Sequence, residues 1–576
     1  MSMKKKTTAT MVFAAAVLTV VGWAFNWGVG VSADYVHEIR KNIEVFGLVY
    51  QEISKKYVQP VDPDKFMKAG INGMLETLDP YTVLIEKEDN TQLQIITHGK
   101  YGGLGMVIST RDGWPTVVEQ PSDGTPALKS GIREGDRIVE VDGTTTKGMK
   151  VDEVANRLRG EIGTPVTLKI AREGEPVPLE FHMVRAEITV HDVTYSGMIR
   201  DGIGYIKLSR FSKNAGYEVS QAVRDLKAQG LKSVILDLRN NPGGLLEAAV
   251  EVSENFIKKG ELIVSTKGRS DGSDKEYRSD KDPQAGALPL VLLVNGNSAS
   301  ASEIVAGAIQ DLDRGVLIGE TTYGKGLVQT VVSLNRDAAL KITTAKYYDP
   351  SGRCIQKDRP RSDNGDALLA DVAESDLADG KANDEKNEPA PQPAFRTKNG
   401  RTVYGGGGIK PDLEIVADKL SRFEAALRYK SIAFNYAVAY ASKHPNLKQR
   451  EFQIDDSMIG EFRQFTREKK FSYTSQSEMQ LAELKKTAEK EGYLQDIQGS
   501  ITALEQALQR EKEDDFTKSG GFIRRELEQE IAAKLFGSRS QVEVTFDDDP
   551  VIKKAVEVLS NAAEYSAILS GEKSKQ

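Results

Sequence analysis

The chain has 576 residues, enough for several domains of about 150 residues each and for at least one large core. Its 77 Lys and Arg stand against 84 Asp and Glu, a formal net charge of −7 that argues against nucleic acid as the main partner. A single cysteine, Cys354, excludes an intrachain disulfide framework and a thiolate cluster for zinc, and nothing in the sequence calls for a cofactor.

Lys4, Lys5 and Lys6 precede a stretch, 7–33, without a charged residue, most apolar between Met11 and Phe25. This is the pattern of an export signal cleaved after Ala33, or of a retained transmembrane anchor, since a spanning helix takes about 20 apolar residues. Residues 1–33 are assigned to that role, and the body of the protein to the periplasm or a membrane surface facing it. Residues 34–92 read as a helical segment, with Ile39, Ile43, Phe46 and Val49 at helical spacing and a second periodic run from Phe66 to Leu78. Residues 93–175 change rhythm to short strands around two helices. The strand signals are Met106–Ile108, Val117–Val118, Arg137–Val141 and Val166–Ile170; the helices are Ala127–Ile132 and Val151–Arg159. Residues 176–415 alternate strand and helix, which indicates an α/β layer structure. Its strands are Ile203–Leu208, Val234–Leu238 and Leu290–Val294, and its helices Asn214–Gln229, Leu245–Lys258 and one ending near Leu312. Within this unit, 361–390 hold nine acidic and three basic residues and no aromatic, so 361–393 reads as a disordered acidic insertion or an acidic surface helix. Residues 416–576 are charged and helical, with helices expected at 420–442, 480–491, 495–512, 521–535 and 550–569.

Three strand-to-helix turns and loops carry the chemistry. The run Ser298-Ala299-Ser300-Ala301-Ser302-Glu303 follows a buried strand and opens a helix; it is either a serine-rich cap or an exposed nucleophile beside free N–H groups. A hydroxyl nucleophile needs a base, and none of the five histidines stands in a motif-like setting. Lys325, enclosed by Gly324 and Gly326 and running into an apolar strand, can serve if burial depresses its pKa, with Gln329 four residues on to orient the amine. The glycines of Asn240-Asn241-Pro242-Gly243-Gly244 either shape a tight loop or offer N–H groups to a developing oxyanion.

Taken together these blocks resemble the carboxy-terminal processing, or tail-specific, proteases of the S41 peptidase family. The matching text is LDPYT at 78–82, GGLGM at 102–106, Gly204-Tyr205-Ile206, DLRNNPGG at 237–244, SASASEI at 298–304, TYGKG-LVQ at 322–329, PSGR at 350–353 and GIKPD at 408–412. The resemblance covers roughly residues 35 to 415 in order. It implies a crotonase-like layered protease core preceded by a PDZ domain; with the N-terminal helical segment and the C-terminal helical extension, which carries no block of the resemblance, this makes an α/β protein of several units. It further implies Ser300 as nucleophile, Lys325 as base and Gln329 as its support. The implied oxyanion donors are the N–H groups of Ala301 and of the Gly243-Gly244 turn. For the PDZ unit it implies a loop of Gly102, Gly103, Leu104, Gly105 and Met106 that holds the terminal carboxylate of a substrate, with Arg159 placed to communicate with the active site. The partners implied are proteins or peptides with free C-termini, together with an adaptor protein or a second copy through the helical regions and N-terminal membrane contact. Two other readings compete: an inactive membrane-tethered PDZ scaffold or chaperone, and a different enzyme on the same core, such as an acyl-CoA hydratase. The first would lack Ser300, Lys325 or the glycine turn; the second would lack the PDZ unit.

Overall fold

Val234-Ile235-Leu236 and Leu290–Val294 are apolar at every position, the mark of strands covered on both faces. In a computed structural model, which describes residues 33–86, 99–334, 338–357, 392–416, 419–449 and 452–571, they form the centre of a six-stranded sheet. Its order is Val193–Arg200, Ile203–Leu208, Ser233–Asp237, Leu290–Val294, Val316–Gly319 and Leu413–Glu414; the first pair is antiparallel and the rest parallel, with Tyr205 opposite Ile235 and Ile235 opposite Val291. Alternate side chains go to opposite faces. Ile206, Leu208, Leu236 and Leu292 meet the helices Ala215–Ala228, Leu246–Glu254 and Ala301–Asp311. Tyr205, Ile235, Val291 and Leu293 meet Val551, Ile552, Ala555, Val558 and Ile568, from the helices Pro550–Ser560 and Ala562–Ser570. Each fully buried Val or Ile there contributes about 2 kcal/mol. The last two helices of the C-terminal helical region thus cover the outer face of the α/β sheet.

A second sheet carries the lysine loop. Leu327–Ser333 pairs antiparallel with Ala338–Tyr348, which also pairs with Leu262–Gly268 and, from the N-terminal segment, with Val83–Glu86. The helices ahead of that strand, Ala33–Lys56 and Pro63–Glu76, bury little; Asp62 caps the second, accepting from the N–H groups of Asp64 and Lys65.

The third sheet, Ile108–Arg111, Trp114–Val117, Arg137–Val141, Pro165–Ala171 and Leu179–Val184, encloses Leu104, Val117, Ile138, Val154, Leu158, Leu168 and Ile170 with the helices Pro126–Lys129 and Val151–Leu158. The sheet runs past the expected boundary at 175, because Leu179–Val184 pairs with Pro165 to Ile170. The strand placed at Met106–Ile108 runs instead over Ile108–Arg111, since Gly105, at φ +77°, bends the chain away first. The PDZ sheet leans on the C-terminal helices: Lys534 pairs with Glu134 at 3.0 Å, both nearly buried, and lies over the Phe434 ring.

The C-terminal helices between 422 and 536 gather around Phe423, Phe462, Phe516, Phe522 and Leu527. The helix expected at 420–442 is two, Arg422–Tyr429 and Ile432–Lys443, because Ser431 takes a left-handed conformation at φ +54°. The helix expected at 550–569 is likewise broken at Asn561, which caps the second half by accepting from the Glu564 N–H. The helix Asp456–Glu468 had a readable start, Asp455 accepting from the Met458 N–H.

The expectation of a transmembrane segment is corrected: no helix among the described residues is long and apolar enough to cross a membrane. The Met11–Phe25 run and residues 361–391 of the acidic insertion lie outside the described residues.

Candidate active site

The two central strands, Ser233–Asp237 and Leu290–Val294, deliver their following turns to the same edge, where open parallel sheets place their sites. Several bonds join the turns. Ala299 N–H and Ser302 Oγ both donate to the Asn241 carbonyl, at 3.1 and 2.9 Å, and Ser298 Oγ donates to that of Leu238 at 2.8 Å. Asn295 Nδ2 and Asn297 Nδ2 donate to Asn240 Oδ1, holding Asn240 at φ +59°.

Ser300 stands at the head of helix Ala301–Asp311 with φ +53° and ψ −112°, outside the extended conformation of an ordinary cap. The carboxylate of Glu303, wholly buried, holds it there. Glu303 Oε2 accepts from the N–H groups of Ser300 at 2.8 Å and Lys325 at 2.9 Å; Oε1 accepts from Gly324 N–H at 2.7 Å and Thr322 Oγ1 at 2.5 Å. One carboxylate oxygen thus binds the main chain of both residues. Tyr347 repeats the link on the carbonyl side, its hydroxyl donating to Lys325 O at 2.8 Å and within reach of Ser300 O at 3.2 Å. Burial pushes the Glu303 carboxyl up, and its four donors oppose that shift.

Lys325 is 8% exposed, and its Nζ donates to Gln329 Oε1 at 3.1 Å. Gln329 Nε2 in turn donates to the Tyr81 carbonyl at 3.0 Å, and the Tyr81 ring lies 4.6 Å from Nζ. Tyr81 reaches this position because Asp79 Oδ1 accepts from the N–H groups of Tyr81 and Thr82, making a tight turn before strand Val83–Glu86. Burial, seconded by the Lys341 ammonium, lowers the amine's pKa from 10.5 to about 8, although Glu303 and Asp79 pull the other way. Gly326 lets the neighbouring segment close in: a Cβ there would come within 2.8 Å of Gln356 N.

Gly243, at φ +96°, leaves open a cradle that a Cβ would fill, 2.7 Å from Ala299 O, 2.8 Å from Ala301 N and 2.9 Å from Ser300 Cβ. Its own N–H donates to Asn241 Oδ1 at 2.9 Å, so it is not free to act as a donor in the turn, contrary to expectation. The N–H groups of Gly244 and Ala301 have no acceptor among the described residues. Gly244 packs so closely that a Cβ would meet Phe211 O at 2.2 Å.

Ser300, Ala301, Lys325, Gln329, Gly243 and Gly244 therefore converge. The PDZ residues form a second locus. Gly102 and Gly103 pair in a short ladder with Ala186–Thr189, and the N–H groups of Leu104, Gly105 and Met106 have no acceptor among the described residues. Leu104 is 2% exposed and belongs to the domain core; Met106 packs partly against it. Arg159 ends helix Val151–Leu158, bonded to Asn156 Oδ1 and 5.7 Å from the Tyr101 ring, among PDZ residues and not at the Ser300 turn. Glu303 and Tyr81 were not singled out from the sequence as site residues. Their signals were there, in the [ST]-x-x-E spacing from Ser300 to Glu303 and in the LDPYT block.

Comparison with known proteins places the chain by family. Residues 202–363 match the family described as "Peptidase family S41", 117–172 a "PDZ domain", 29–89 the "Activating protease CtpB N-terminal domain" and 423–559 the "Probable PDZ-protease, C-terminal helical domain". The chain is 39% identical over 320 residues to the carboxy-terminal-processing protease of Bartonella bacilliformis, covering 55% of this chain and 73% of that one. It is 38% identical over 313 residues to the carboxyl-terminal-processing protease of Synechocystis sp., covering 53% and 72%. To the carboxy-terminal processing protease CtpA of Bacillus subtilis it is 37% identical over 309 residues, covering 54% and 65%. The fold and these matches define a serine-type endopeptidase. The chain belongs to the S41 peptidase family, as a carboxy-terminal processing protease with a PDZ domain.

Proposed function

We propose that the enzyme cleaves peptide bonds through a Ser300–Lys325 dyad. Neutral Lys325 takes the proton from Ser300 Oγ as that oxygen bonds to the substrate carbonyl carbon. The N–H groups of Ala301 and Gly244 hold the oxyanion, and the Lys325 ammonium returns its proton to the leaving amine as the C–N bond breaks. Water, deprotonated by the same amine, then hydrolyses the acyl-enzyme. Gln329 and Tyr81 fix the amine in place. The observation that carries this reading is the Glu303 carboxylate, one oxygen of which accepts from the main-chain N–H groups of both Ser300 and Lys325. A phosphonofluoridate probe tests it: intact mass and peptide mapping should find one adduct, on Ser300, and labelling elsewhere overturns the assignment.

The domain division proposed is a helical segment at 34–92, a PDZ domain, a layered core of the crotonase-like kind and a helical C-terminal region. The substrates are proteins with free C-termini, exported with the enzyme out of the cytoplasm. The tail adds as a strand beside Ile108–Arg111, its carboxylate held by the free N–H groups of Leu104, Gly105 and Met106. The helical regions are proposed to bind an adaptor or a second copy. Amidating the C-terminus of a peptide substrate should raise its KM about tenfold or more, because the carboxylate loses its charge and its N–H partners. Equal kinetics for the free acid and the amide would exclude tail reading.

A further inference from the structure

Between the end of strand Ser233–Asp237 and the oxyanion turn lies Arg239. Its Nε contacts both oxygens of Asp237 at 3.0 Å, and its Nη2 reaches Asp237 Oδ2 at 2.7 Å. Tyr205 Oη donates to the same Oδ2 at 2.6 Å. The remaining arm, Nη1, donates at 2.7 Å to Asp549 Oδ2, 310 residues away in sequence. Asp549 spends its other oxygen as the cap of helix Pro550–Ser560, accepting from the N–H groups of Val551 at 2.8 Å and Ile552 at 3.2 Å. Arg239 and Asp549 are only 19% and 20% exposed. The segment leading to Asp549 is fixed to the first two strands of the same sheet. Glu543 accepts from Tyr195 Oη, the Phe546 ring packs edge-on against Tyr195 and Tyr205, and Asp547 pairs with Arg200.

We infer that Asp549, from the C-terminal helical region, is a positioning residue for peptide hydrolysis that holds the oxyanion turn through Arg239. The inference rests on the reading in which Gly244 and Ala301 bind the oxyanion. Arg239 is one residue before Asn240, whose left-handed backbone and bonds to Asn295 and Asn297 set the distance between the glycine turn and Ser300. A guanidinium held by Asp237 alone can still pivot about that carboxylate; a second carboxylate on its far arm removes the freedom. Donors aimed at a developing charge lose effect steeply with small displacements, so the loss belongs in turnover and not in substrate binding.

The test uses the full chain and an unstructured peptide substrate, with rates normalised to the fraction of Ser300 labelled by the phosphonofluoridate. Asp549→Asn keeps an oxygen for the Val551 and Ile552 N–H groups and removes the charge facing Arg239. The expected result is a roughly tenfold fall in kcat per labelled site, KM within about twofold and Tm nearly unchanged. Asp549→Glu should recover part of the loss. Arg239→Lys should show the same kind of fall, and the double variant should be no worse than Arg239→Lys alone, as expected of two groups acting through one contact. If Asp549→Asn does not fold, Asp549→Ser, which also retains a capping oxygen, takes its place. Wild-type kcat per labelled site in these variants, or a loss wholly accounted for by a smaller labelled fraction, overturns the inference. A wild-type protein that does not hydrolyse the peptide, or that takes the label elsewhere, overturns the functional reading instead.

Discussion

Replacing Lys325 by methionine is expected to lower kcat on a peptide substrate by roughly ten-thousandfold while leaving the fold intact. Methionine keeps the apolar stem and most of the length of the side chain, so the site stays filled while the amine, with its contacts to Tyr81 and Gln329, is lost. Far-UV circular dichroism and Tm separate this outcome from unfolding, and activity within tenfold of wild type would require another base. The amine also sets a pH signature. With its pKa at about 8, wild-type kcat/KM should rise close to tenfold per pH unit below that value and level off above it. Stability follows the same group with a sign that can be worked out. The unfolded chain carries lysine at an ordinary value near 10.5 and so binds more protons than the folded enzyme between about 8 and 10.5. In that window stability rises with pH as far as this residue is concerned. Below it the folded state bears a buried ammonium at a cost of about 3 kcal/mol. At pH 7 Lys325→Met should therefore melt higher than wild type, an inactive variant more stable than the enzyme.

Gly243→Ala should be nearly as damaging, for a steric reason. The new methyl would occupy the cradle beside Ala301 N and Ser300 Cβ, and the backbone there, at φ +96°, disfavours any side chain. An oxyanion displaced from its donors costs about 10²- to 10³-fold in kcat. Gly244→Ala makes the informative contrast. Its methyl would collide with the Phe211 carbonyl, which joins this turn to the sheet, so the expected loss is in Tm and in soluble yield. If Gly243→Ala turns over like wild type, the cradle is not where the oxyanion sits.

The sequence made some of this legible and not the rest, and the division has a physical basis. Strands Ile203–Leu208 and Leu290–Val294 were readable to the residue, the second because a fully buried parallel strand is an unbroken apolar run between turn residues. Helix Asn214–Gln229 was readable to within one residue at each end. Ser300, Lys325 and the glycine turn stand in short local blocks whose spacing survives in one dimension. The partners of Tyr81 and Asp549 do not. Tyr81 reaches Gln329 across 248 positions, and Asp549 reaches Arg239 across 310, so their roles arise only from strand order and helix packing. The last two helices misled for a related reason. They are more apolar than most of the helices before them, but what that apolar surface covers shows only in the strand faces at Tyr205, Ile235, Val291 and Leu293. The break at Ser431 was hidden because nothing in a serine announces a left-handed backbone.

That covering layer has a consequence for how the enzyme comes into being. A chain that emerges from its N-terminal end displays Ser300, Lys325 and the glycine turn long before residues 550–570 arrive to close the open side of the sheet. Until then Ile235, Val291, Leu293 and Ile318 face water, and Arg239 lacks its distal counter-charge. The outer face of the sheet is therefore the last part of the core that a growing chain can close.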